Sequence, residues 1–201
     1  MKSRLPSLPM LWLSILALPI ALAIFSPIFG QDQASKPSKT PEMLISAEGL
    51  LAIETPKGWF RTDGPGLAFF LRKGDNKQTT KVWIYINSGP VGPKAEARDM
   101  NSYIDSDIAG FKERFAKGSV QKESPLELPI AKMQAPVFTF RSNEAHNPFE
   151  QVVYIPESGR VLMLVLSAKT KDALTQALPS FEEFAKSYRG SIILGSQEKR
   201  P

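Results

Sequence analysis

The sequence predicts an α+β fold: a mainly antiparallel sheet with an amphipathic helix on each face. Three observations carry that expectation. Val82 to Ile86 alternates, with Val82, Ile84 and Ile86 on one face and Trp83 and Tyr85 on the other, so both faces of this strand are apolar enough to be covered. Val161 to Leu166 is an unbroken apolar run, which fits a central strand shielded on both sides. Two other segments repeat at helical spacing. Met100, Ile104, Ile108, Phe111 and Phe115 form one stripe, and Leu174, Leu178, Phe181, Ala185 and Tyr188 form the second.

The remaining elements follow from turn chemistry. Leu50 to Glu54 reads as a strand, and Pro56-Lys57-Gly58-Trp59 turns the chain while placing an aromatic at the start of the core. Gly64-Pro65-Gly66 is a turn before a strand at Leu67 to Leu71, and Gly74-Asp75-Asn76 is the next turn. Gly89-Pro90 and Gly92-Pro93 close the Val82–Ile86 strand and lead to the first helix, which Gly118 stops. Val120 to Leu128, Pro136 to Phe140 and Gln151 to Ile155 read as strands. The last is joined to Val161–Leu166 through Pro156-Glu157-Ser158-Gly159, a hairpin signal. Thr170 is a suitable N-cap for the second helix, which runs to about Arg189 and is expected to kink or split at Pro179. The predicted order is β-β-β-α-β-β-β-β-α, without internal repeats, and hairpin connections make the sheet mainly antiparallel.

The start of the chain has a different character. Lys2 and Arg4 precede an apolar run from Leu11 to Phe25, broken only by Ser14 and Pro19. Charge, short apolar core and small residues in that order specify an export signal over residues 1–30, cut after the small residues near Ala21–Ala23 or at Gly30. An uncleaved inner-membrane anchor is the alternative, because Met10 to Phe29 approaches the ~20 residues of a spanning helix. Pro19 and Pro27 weigh against it, since proline interrupts helical hydrogen bonding. Residues 31–43, with Pro37 and Pro41 and no apolar periodicity, read as a flexible linker. A globular domain over 44–195 and a short tail over 196–201 complete the predicted organisation. The expected location is extracytoplasmic, periplasmic or secreted, and membrane association would come only through an uncleaved N-terminal segment.

Composition excludes several chemistries. The chain of 201 residues has no cysteine, which removes disulfides, thiolate metal sites, thiol catalysis and a lipid-modified N-terminal Cys. A single histidine, His146, excludes a two-His metal site within one chain. The formal net charge of +5 is scattered. The helix candidate from Lys94 to Lys117 alone interleaves Glu96, Arg98, Asp99, Asp105, Asp107, Lys112, Glu113 and Arg114, so no basic stripe suited to nucleic acid emerges. No metal and no cofactor is expected. The sequence contains no Asn-X-Ser/Thr glycosylation signal, in keeping with a bacterial exported protein.

Candidate chemical groups are few. His146 stands between Glu144 and Glu150 in a predicted Asn-Pro loop; the three could form an acid–base or weak metal site, but a solvated loop histidine is the simpler reading. Ser119-Val120-Gln121-Lys122 has the spacing of a Ser-X-X-Lys nucleophile. That arrangement needs a helix to return the lysine to the serine, and here the segment is extended. Ser167 and Lys169 share a strand face without further companions. Asp105 and Asp107 diverge around the first helix and are expected on its solvated side. Trp83 and Tyr85 pack beneath a helix or, where no helix covers them, form an apolar platform for a peptide, glycan or lipid.

Pro56-Lys57-Gly58-Trp59 after the first strand, the long mid-chain helix, and an apolar strand followed by Phe181-Glu182-Glu183-Phe184-Ala185-Lys186-Ser187-Tyr188-Arg189 resemble the PsbP-like family. The resemblance covers roughly Leu44 to Leu194. It implies an α/β/α sandwich and a binding or accessory role, since members of that family are mostly binding or accessory proteins without an established common enzymatic activity. That family includes photosystem II extrinsic proteins, a Ran-binding import regulator and small bacterial exported proteins. No functional residue of the family maps onto this chain. The expected function is therefore an exported, non-enzymatic accessory domain with a protein partner in the bacterial cell envelope. The alternatives are a small-molecule or lipid-binding domain using Trp83 and Tyr85 and, last, a carboxylate hydrolase using His146.

Overall fold

The computed structural model describes residues 42–46, 49–142 and 149–192, with side chains over 51–142 and 149–190. These residues lie in one compact unit, Ser38–Pro201. The expected signal segment, most of the linker and the tail lie outside the described residues.

The core is built on the two strands most legible in the sequence. β5 (Val82–Pro90) and β11 (Arg160–Ala168) pair antiparallel along their full length, from Val82 opposite Ala168 to Pro90 opposite Arg160. They occupy the middle of a seven-stranded sheet. On one side lie β4 (Ala68–Arg72) and the edge strand β3 (Trp59–Thr62); on the other lie β10 (Phe149–Glu157), β9 (Val137–Arg141) and the edge strand β6 (Ser119–Lys122). Every pairing in this sheet is antiparallel. A three-stranded sheet joins β1 (Glu42–Ser46), β2 (Gly49–Ile53) and β12 (Ser191–Ile192). A small hairpin, β7 (Leu126–Leu128) with β8 (Met133–Ala135), lies between β6 and β9 in the chain.

Strand alternation divides the interior into two apolar groups. Leu162, Leu164 and Leu166 of β11 cluster with Val82, Ile84 and Ile86 of β5 and with α2 (Lys171–Lys186). The helix contributes Leu174, Ala177, Phe181, Phe184 and Ala185, and Phe184 meets Phe70 edge to face with ring centroids 5.3 Å apart. Val161, Met163 and Val165 point the other way and cluster with Ile104 and Phe111 of α1 (Met100–Arg114). Each large apolar side chain removed from water in these layers contributes about 1.5–3 kcal/mol.

Both helices begin as their sequences specify. Asp99 caps α1, accepting from the Ser102 N–H at 2.8 Å while Ser102 Oγ accepts from the Asp99 N–H at 3.0 Å. Thr170 Oγ1 accepts from the Ala173 N–H at 3.1 Å and caps α2. After α2 the chain returns to β2: the Arg189 N–H donates to the Ala52 carbonyl, and Arg189 Nη2 meets Glu54 Oε1 at 2.6 Å.

Several expectations need correction. The turn placed at Trp59 gives way directly to a strand, β3. The single strand expected over Val120 to Leu128 is two, because Ser124 and Pro125 interrupt the pairing with β9 and the chain folds into the β7–β8 hairpin. The second helix is continuous through Pro179. The ring lies on the exposed side, where water can replace the hydrogen bond that the proline cannot donate. The first strand begins at Glu42, ahead of the expected domain start. Among the described residues no helix is long and apolar enough to cross a membrane.

Candidate functional site

The register of the large sheet aligns one row of side chains across all seven strands. Phe60 of β3 stands opposite Leu71 of β4, Leu71 opposite Trp83 of β5, and Trp83 opposite Ser167 of β11. Ser167 stands opposite Glu150 of β10, Glu150 opposite Phe140 of β9, and Phe140 opposite Val120 of β6. Alternation places this row on the sheet face that carries α1. It begins with an apolar track: Phe60 is 36% exposed, Leu71 is buried and Trp83 is half-buried. It continues into polar groups, Ser167 and Glu150.

The neighbouring row supplies Tyr85. Its hydroxyl donates to Glu150 Oε1 at 3.4 Å, reaching across β11 between the two strands. Burial, then the Glu150 charge, pushes the Tyr85 hydroxyl well above the ordinary phenol range. Burial is also the largest influence on Glu150 and raises its carboxyl above the ordinary value. Ser167, Tyr85 and Arg114 act against that rise, while the Asp107 charge adds to it. The Ser167 hydroxyl is fully buried and makes no hydrogen bond of regular geometry, yet it lies close enough to Glu150 to favour the ionised carboxylate.

α1 adds a second carboxylate. Asp107 is half-buried and accepts a hydrogen bond from the Tyr154 hydroxyl of β10, so it belongs to the helix–sheet interface and not to the solvated side assigned from its spacing. Asp105 is exposed as expected. Burial first, then the Asp107 charge, holds the Tyr154 phenol far above its usual range. Tyr103 fits against the sheet where Gly89 has no side chain, and its hydroxyl lies 3.6 Å from Met163 Sδ.

The structure thus brings Trp83 and Tyr85 to one face of β5, with different surroundings. Tyr85 joins the cluster beneath α1, while Trp83 stands beside Leu71 and Ser167. His146 and Glu144 lie outside the described residues. Ser119 and Lys122 are in the extended edge strand β6, and Lys169 is exposed just beyond β11. Sequence reading missed Phe60, Glu150 as a partner of Tyr85, and the Asp107–Tyr154 pair. The alternation of β10 was a usable signal for Glu150, since it shares a face with Val152 and Tyr154. Among the described residues no group of three or more His, Asp or Glu side chains could hold a metal ion.

An antiparallel sheet bearing two helices, with Tyr85, Glu150, Asp107 and Tyr154 gathered at a helix–sheet interface, defines an α+β domain. The structure is similar to the solution structure of cyanobacterial PsbP (CyanoP) from Synechocystis sp. PCC 6803. The TM-score is 0.50 at 11% sequence identity, over 81% of this chain and 98% of that chain. At this identity the likeness is one of fold. No protein-family profile matches the sequence, and no curated protein matches it.

Proposed function

We propose that the chain is an exported, non-enzymatic accessory domain that binds a protein partner of the bacterial cell envelope. In this reading residues 1–30 direct export, the following linker gives the domain reach, and α1 and α2 form the outer layers of an α/β/α sandwich. The observation that carries it is the apolar track Phe60–Leu71–Trp83. Two partly exposed aromatics flank a buried leucine on adjacent strands, next to the region covered by α1. Aromatic side chains supply large contact area at small entropic cost, which suits them to anchoring a partner. The PsbP-like fold supports the accessory role, and the signal-like N-terminus supports the location.

A photo-crosslinking residue placed at position 60 or 83 of the tagged full-length protein tests this in cells, with position 182 on the exposed side of α2 as the control. A protein adduct specific to 60 and 83, and lost from position 83 when Phe60 is also changed to Ser, is the expected result. Adducts to a lipid or small molecule would favour the ligand-binding alternative at Trp83 and Tyr85. Equal labelling from position 182, or no adduct from 60 and 83, would overturn the assignment of this surface.

A further inference from the structure

We propose that the protonation state of Glu150 sets how firmly α1 is docked on the sheet, the helix gripping when this carboxyl is neutral and loosening when it is ionised. The inference stands on the helix–sheet interface and does not depend on the partner reading.

α1 is held by the buried side chains of Ile104 and Phe111, with Met100, Tyr103 and Ile108 partly buried beside them. The Phe111 ring packs edge to face on Phe140 at 5.2 Å between centroids, and Phe140 is the residue directly opposite Glu150 in the sheet. Asp107 lies four residues before Phe111 and Arg114 three after it, so all three share one side of the helix. Both charged groups act on Glu150. These turns of α1 therefore lie over the part of β9 and β10 that contains Glu150.

The groups around Glu150 come from four other strands and helices. β5 offers the Tyr85 hydroxyl, β11 the Ser167 hydroxyl and β9 the apolar Phe140 ring. α1 brings one anion, Asp107, and one cation, Arg114. On β10 itself the Tyr154 hydroxyl is taken by Asp107. Glu150 is half-buried, and docking α1 sets Phe111 against its neighbour Phe140 and adds the Asp107 charge. Ionised Glu150 loses hydration and meets a like charge, whereas the neutral acid does not. Raising the helix returns water to the site. By linkage, each state that binds the proton more tightly is favoured by it, so protonation favours the docked helix. Arg114 opposes this preference and sets where on the pH scale it acts. Only two of its side chains are buried, and an element held mainly by partly buried contacts is able to open without global unfolding.

Hydrogen–deuterium exchange of the full chain at a series of pH values from about 5 to 8 tests this, with each rate divided by the intrinsic rate at that pH. Exchange in α1 peptides is expected to rise with pH, by no more than about tenfold per unit for one proton, while α2 peptides stay flat. Glu150→Gln should flatten the α1 profile at its slow end. Arg114→Gln should move the rise to higher pH, and it decides the question if Glu150→Gln does not fold. Parallel rises in α1 and α2, a wild-type slope retained in Glu150→Gln, or a midpoint unmoved in Arg114→Gln would each overturn the proposal.

Discussion

Tyr103 occupies the space that a side chain on Gly89 would need. A β-carbon built at that position overlaps the phenol ring, so the absence of a side chain at residue 89 gives the Tyr103 ring its place on the sheet. Gly89→Ala should displace Tyr103 and lift this part of the helix, at about 1–3 kcal/mol, the usual cost of overpacking. Urea denaturation of the variant against wild type measures it. A variant as stable as wild type would mean that α1 docks without this close approach.

In the other apolar cluster, Phe184 is 1% exposed and packs on Phe70. Phe184→Ala should destabilise the domain by about 3–5 kcal/mol, since the fixed sheet cannot collapse into the space left behind. Thermal and chemical unfolding should show the loss on both scales.

Glu150 predicts the pH dependence of global stability. Burial raises its carboxyl in the folded state above the ordinary value that it keeps when unfolded. The folded state therefore binds this proton more tightly. The stabilisation is fully present below the unfolded value, and it is lost as pH rises through the folded value. The slope from this group cannot exceed about 1.4 kcal/mol per pH unit. Unfolding curves recorded at several pH values should show the trend in wild type and its absence in Glu150→Gln.

Asp99 has the opposite sign. Its hydrogen bonds from Ser102, the backbone one foremost, hold its carboxyl below the ordinary range. The cap's support is present above the ordinary carboxylate value and is lost as pH falls through the depressed folded one. Asp99→Ala should speed amide exchange in the first turn of α1 at neutral pH, with the difference from wild type closing in acid. An unchanged first turn would show that tertiary packing alone holds the helix start.

What the sequence made legible was what depends on local periodicity. The alternation around Ile84 and the apolar run around Leu164 announced the two central strands, and the five-residue stripe ending at Phe115 announced α1 in register. Edge elements were harder. Trp59–Thr62 holds two aromatics followed by Arg61 and Thr62, and as an edge strand it needs no apolar alternation to pair with β4. The β7–β8 hairpin was hidden because Leu126 and Leu128 continue the alternation of Val120 and lack only the pairing partner. The site was the least visible part. Tyr85 meets Glu150 and Asp107 meets Tyr154 only after distant segments have been brought together. Spacing on a helix can say that Asp105 and Asp107 diverge, but not which of them a phenol on β10 will engage.

The short strand β12 comes after both helices and every strand of the large sheet, yet it pairs with β2 near the start of the domain. Arg189 reinforces the same junction through Glu54 and the Ala52 carbonyl. Bringing segments so far apart in sequence together carries a loop-closure cost that nearby contacts cannot offset early in folding. While the chain is being made, β1 and β2 can form their hairpin, but its third strand does not exist until Ser191 and Ile192 have been added. Synthesis thus delivers the strand that completes this small sheet only after every strand of the large sheet and both helices have been made.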